Sequence, residues 1–135
     1  MHATSEMRQL SALFASAVFN ELAKSTIPSL PDPSNIIPQV FPVRMEGNTE
    51  DPPMQIPHID GEPTRHPLIT SLYYAHVEGI TGGSLLLHEN PDTVTARIVP
   101  QTDNLTAILG NQLHSVEPLT KGTRITVVTN FYADS

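Results

Sequence analysis

The sequence predicts a mainly β domain, a sandwich or barrel of seven or eight short strands, with one N-terminal helix packed outside it. Three observations carry that prediction. From Ile56 onward, β-branched and aromatic runs recur at roughly 10-residue spacing. Turn signals separate them, at Gly79, Gly82-Gly83, Asn90-Pro91, Asp103-Asn104, Gly110-Asn111 and Lys121-Gly122. No helical periodicity interrupts the runs, which argues against a parallel α/β sheet. At 135 residues the chain suits one domain rather than two.

The elements follow in order. Residues 5–24, SEMRQLSALFASAVFNELAK, form an amphipathic helix within the segment 1–25. Met7, Leu10, Leu13, Phe14, Ala17, Val18 and Leu22 fall on one stripe at i, i+3, i+4 spacing. Thr4 or Ser5 caps the helix, Glu6 suits its first turn and Lys24 its last. Residues 26–57 are a connection. Pro28, Pro31, Pro33, Pro38 and Pro42 exclude helix and sheet interior there, and allow an edge strand near Val40 to Met45. Residues 46–57, EGNTEDPPMQIP, read as a polar loop. The β core spans 58–135. Its strands are expected within 67–77, 82–89, 93–100, 104–110, 113–119 and 124–133.

Composition narrows the function. A net charge of −7 and the lack of any Lys/Arg cluster disfavour nucleic acid and anionic membranes as partners. The absence of cysteine excludes disulfides, zinc ribbons and thiol nucleophiles. No apolar run approaches the length of a membrane span, and the N-terminus lacks the pattern of a secretory leader. These features fit a cytoplasmic protein, in which the sequon Asn104-Leu105-Thr106 is accidental.

The stretch QIPHIDGEPTRHP, residues 55–67, sets His58 and Asp60 two apart. A strand points such residues to one face, so both aim at one point. That point is a metal, a hydrogen-bonded His–Asp pair, or nothing. His114 supplies a third ligand of the right kind. Two imidazoles and a carboxylate hold one face of an octahedral Fe(II) and leave three positions open. Arg124 follows His114 by ten residues in LHSVEPLTKGTRITV, 113–127. The segment reads as a hairpin bent at TKG, with His114 and Arg124 close across the pair. A guanidinium is the natural bidentate partner of a carboxylate, and Thr126 shares its face.

Taken together, HID at 58–60, LITSLYYAHVEGITGGSLLLHE at 68–89 and LHSVEPLTKGTRITV at 113–127 resemble the 2-oxoglutarate- and Fe(II)-dependent dioxygenases, in their prolyl-hydroxylase-like branch. The resemblance covers roughly residues 40–133. It implies a double-stranded β-helix, the cupin-like jelly roll. It implies that His58, Asp60 and His114 bind iron and form the catalytic centre. Arg124 and Tyr74 would take the distal carboxylate of 2-oxoglutarate, with help from Thr126. The implied activity is oxidation of an unactivated C–H bond, coupled to decarboxylation of 2-oxoglutarate to succinate and CO2. O2 would be consumed, and ascorbate would be the expected reductant. The expected substrate is a small molecule, an amino acid or a peptide. A homodimer is compatible with this reading. Asp60 stands where halogenases of the superfamily have Ala or Gly, so a halide ligand is not expected.

Met45 and Asn130 depart from the family, which has Tyr and frequently Trp at these places; neither is expected to touch the iron or co-substrate residues. His66, His76 and His88 are read as bystanders, and Arg44 and Arg97 as surface arginines. Two other readings stay open. One is an Fe(II) oxidase independent of 2-oxoglutarate, against which Arg124 and Tyr74 argue. The other is a cupin-like metal-binding or regulatory module without turnover.

Overall fold

The structure, a computed structural model, describes residues 35–62 and 64–133, together with Ser5, Glu6, Gln9, Leu13 and Ala17. The helix expected over 5–24 lies largely outside the described residues, as does the start of the Pro-rich connection. Eight strands follow: β1 (Ile36–Glu46), β2 (Gln55–His58), β3 (Ile69–Gly82), β4 (Leu85–Asn90), β5 (Thr93–Ile98), β6 (Leu105–Leu109), β7 (Leu113–Val116) and β8 (Leu119–Ala133). They form two antiparallel four-stranded sheets, ordered β1-β8-β3-β6 and β2-β7-β4-β5. Among the described residues, no helix is long and apolar enough to cross a membrane.

The sheets pack face to face. Leu85 of β4 is fully buried against Leu72 and Tyr74 of β3 and Ile108 of β6. Met45 of β1, Val116 of β7 and Leu119 of β8 form a second cluster. Both are built by inward positions of period-two strands, which is why alternation in the sequence reports the core.

Three expectations change in detail. The edge strand is longer than Val40 to Met45 and takes in Pro38 and Pro42. An edge position tolerates both, because among the described residues one side of β1 has no ladder to supply. Gly79 does not end a strand. With φ 58° it sits inside β3, within a stretch where the register against β8 shifts. The predicted TKG hairpin does not form either. β7 pairs with β2 and β4, whereas β8 pairs with β1 and β3, so the chain crosses between sheets at Glu117-Pro118. Thr120 to Gly122 belong to β8 itself. Proline after Glu117 cannot donate to either ladder, which suits a crossing point.

The β3–β4 turn at Gly82-Gly83 forms as expected, and glycine is required there. Gly82 has φ 81°, and a Cβ on it would lie 2.0 Å from the Pro118 carbonyl oxygen. The turn thus seats directly against the crossing that separates His114 from Arg124.

Candidate metal centre

β2 and β7 are adjacent and antiparallel, and His58 and His114 lie directly opposite one another in their ladder. Their ring centroids are 4.3 Å apart. Asp60, just past the end of β2, reaches back between them: one oxygen lies 3.2 Å from His58 Nε2 and the other 3.4 Å from His114 Nε2. One ligand atom from each residue falls within a 4.8 Å cluster.

Backbone carbonyls fix the tautomers. His58 Nδ1–H donates to the Ile56 carbonyl at 2.7 Å, and His114 Nδ1–H to the Gln112 carbonyl at 2.8 Å. Each acceptor lies two residues back on its own chain segment. The Nε2 lone pairs are thereby left to converge on one point, the arrangement in which imidazoles serve as metal ligands.

The electrostatics agree. Burial alone would push the Asp60 carboxyl up. Hydrogen bonds from His114 and His58 outweigh it and hold the group well below the usual carboxylate range. The hydrogen bond to Asp60 raises His58 above its ordinary value, against the opposing effect of burial. An anion between two imidazoles waits for positive charge, supplied by a proton in the metal-free protein or by a cation.

Across the cavity from the triad lies the inner face of the other sheet. Arg124, on the central strand β8, is only 2% exposed. Its guanidinium carbon is 5.3 Å from the Tyr74 ring centroid, and Nη1 donates to Met45 Sδ at 3.4 Å. Among the described residues it makes no ion pair. Arg124 Nε, the Tyr74 hydroxyl and the Thr126 hydroxyl are all buried without a hydrogen-bond partner. A buried, unpaired cation costs several kcal/mol, and three orphaned polar atoms around it add to that. Arg124 and Thr126 reach the triad cavity, where an anion with several acceptor oxygens would meet them; Tyr74 lies behind Arg124 and does not line the cavity. His58, Asp60, His114, Arg124 and Thr126 line one small cavity of about 50 Å³.

His114 and Arg124 therefore do meet, but across the sandwich and not across a hairpin. Met45 is a second correction. It touches Arg124 directly, whereas no contact with the candidate co-substrate residues was expected. Met45 is the register partner of Arg124 on β1, and only that pairing puts the two in contact. Asn130 is buried and accepts a 2.7 Å hydrogen bond from Thr70, whose side chain lines the triad cavity. Sequence reasoning missed Thr70, for a single threonine in a β-branched run carries no signal.

The remaining candidates lie elsewhere. Arg44 pairs with Glu46 and Arg97 with Glu117, and none of the four lines the triad cavity. His76 pairs with Glu78. His66 Nδ1 bonds the Asp60 carbonyl at 2.9 Å, bracing the loop without facing the cavity. His88 is buried, with Nε2 2.7 Å from the Ser115 hydroxyl, and does not line the triad cavity.

The fold is that of solved oxygenases that use 2-oxoglutarate and Fe(II), prolyl hydroxylases among them. The chain is similar to IDO from Bacillus thuringiensis, with TM-score 0.69 and 17% identity over 90% of this chain and 55% of that one. It is similar to an oxidoreductase of the 2OG-Fe(II) oxygenase family from Burkholderia pseudomallei, with TM-score 0.59 and 13% identity over 72% and 43%. A prolyl hydroxylase from Trichoplax adhaerens, solved with a hypoxia inducible factor oxygen degradation domain peptide fragment, gives TM-score 0.60 and 23% identity over 88% and 54%. The chain thus spans about half the length of these structures. No family model matches it, and no curated protein does.

Proposed function

We propose that this protein is an Fe(II)- and 2-oxoglutarate-dependent oxygenase. His58, Asp60 and His114 hold the metal, and Arg124, with Tyr74 and Thr126, holds the far carboxylate of 2-oxoglutarate. The observation that carries this reading is the pairing of two incomplete sites in one cavity. An anionic three-ligand cluster faces a buried cation that lacks a counter-ion among the described residues. A dicarboxylate that also chelates the metal completes both at once. The two sheets, ordered β1-β8-β3-β6 and β2-β7-β4-β5, support reading the whole as a double-stranded β-helix.

The bound metal would supply O2 activation, and the co-substrate the electrons: a substrate C–H becomes C–OH as 2-oxoglutarate gives succinate and CO2. The chain's own residues bind and orient. The Ile56 and Gln112 carbonyls keep both imidazoles in the ligating tautomer. Arg124 fixes one end of the co-substrate, which sets the reach of its other end toward the triad. Leu72, Leu85, Val116 and Val128 line the cavity and exclude water from it.

The test is succinate release with Fe(II), 2-oxoglutarate and a panel of amino acids and peptides. Wild type should release succinate above background, and His58→Ala and Arg124→Ala should not. Equal release by wild type and His58→Ala under every condition would overturn the reading.

A further inference from the structure

A second, larger cleft of about 520 Å³ adjoins the triad cavity, a size that suits a small-molecule ligand. Two features join them. Gly61, next to Asp60, lines the cleft, and the Thr70–Asn130 hydrogen bond is the wall between the two spaces. Thr70 faces the triad side and Asn130 the cleft side. Resting on the oxygenase reading, we propose that this cleft seats the molecule oxidised. Asn130 recognises there a carbonyl or carboxylate oxygen of an amino-acid unit.

Asn130 is only 4% exposed, and its Oδ1 is taken by the Thr70 hydroxyl. The side-chain Nδ2 has no partner among the described residues and serves a wall of the cleft. It is a donor of fixed direction, and an acceptor on the ligand satisfies it. Gln39 lies directly opposite Asn130 in the β1–β8 ladder and lines the same cleft, adding a second amide. The rim carries one charge of each sign. Arg65 is held by the Ala133 carbonyl at 3.0 Å and lies over the Tyr132 ring at 4.7 Å. Glu62 is tied to Arg65 by backbone bonds in both directions, yet the two side chains form no ion pair. Opposite charges held apart complement the ammonium and carboxylate of an amino acid. Ile37 gives an apolar wall for its side chain.

The test is calorimetric titration of the anaerobic protein loaded with Fe(II) and 2-oxoglutarate. The probes are the common L-amino acids and their N-acetyl, N-methylamide forms. At least one probe should bind and move the Asn130 side-chain amide resonance. A free amino acid binding best identifies the zwitterion as the source of the acceptor, and a blocked form binding best identifies a peptide. Asn130→Ala should weaken the best probe about tenfold, the loss of one hydrogen bond to a fixed donor. Gln39→Ala, at an exposed position, should weaken it too, which keeps the test open if Asn130→Ala melts early. If Fe(II) and 2-oxoglutarate bind but no probe does, this proposal falls and the oxygenase reading stands. Probe binding unchanged in both variants overturns it as well. If the wild type takes up neither metal nor co-substrate, the oxygenase reading falls and this inference with it.

Discussion

Asp60 sits between two imidazoles, and Arg124 faces the same cavity from the opposite sheet. Arg124 is buried without a counter-ion among the described residues, so its replacement by an apolar residue of similar length removes a desolvation cost. Arg124→Met should leave the ligand-free protein as stable as wild type, or up to about 4 kcal/mol more stable. It should at the same time abolish the rise in melting temperature caused by 2-oxoglutarate. Thermal melts with and without the co-substrate measure both effects. The triad gives a pH prediction. His58 is raised above 6.5, so its contribution is complete below that value and is lost as pH rises through the folded value. Asp60 is lowered below 3.8, so its contribution is complete above that value and is lost as pH falls through the folded value. In chelator-treated protein, the stability difference between wild type and Asp60→Asn should therefore peak between about 3.8 and 6.5. Urea unfolding at a series of pH values tests it. A difference that climbs steadily above pH 7 contradicts the pair geometry.

Short elements carry the site, and long ones carry the stability. β2 and β7 have four residues each, and the β2–β7 register is irregular between Gln55 and His58. β3 and β8, of 14 and 15 residues, pair along most of their length. β2 and β7 are thus the weaker part of the ladder, and a metal held by His58 and His114 would cross-link them. Fe(II), or Zn(II) as a redox-inert substitute, should slow hydrogen exchange in β2 and β7 far more than in β3 and β8. Uniform protection would contradict a metal held by those strands. The Gly82 turn is the other local constraint. Gly82→Ala places a Cβ against the Pro118 carbonyl at positive φ, and should cost roughly 1–3 kcal/mol in denaturant unfolding. Because Pro118 lies between the two halves of the site, the variant should also weaken 2-oxoglutarate binding.

For the molecule as a whole, the site exists only between the sheets. The proposed metal ligands come from one sheet and its adjoining loop, and the proposed carboxylate-binding group from the other. Ligands that join them therefore bind the folded state and not the unfolded chain. With metal present, 2-oxoglutarate at 100 times its dissociation constant should add about 2.7 kcal/mol of stability. His58→Ala should lose the effects of metal and co-substrate together. Arg124→Ala should keep the metal's effect and lose only that of the co-substrate. Differential scanning calorimetry separates the two patterns.

The sequence determined the β character, the turns at Gly82-Gly83 and Asn90-Pro91, and the residue types of the site. Periodicity and turn chemistry are local, and so were legible. His58 and Asp60 were legible as a pair, but not by the route expected: β2 ends at His58, and Asp60 reaches the same point from the loop beyond it rather than from the strand's own face. The partners of Arg124 were not. Local reasoning placed it across a hairpin from His114, because ten residues with a Lys-Gly in the middle commonly make one. The chain instead crosses sheets at Glu117-Pro118, and that choice depends on what β7 and β8 each find to pair with. Only the tertiary structure decided that Met45 touches Arg124, that Thr70 locks Asn130, and that the triad and the guanidinium face one cavity. These are contacts between positions tens of residues apart. They are set by strand order and register, and no local pattern encodes either.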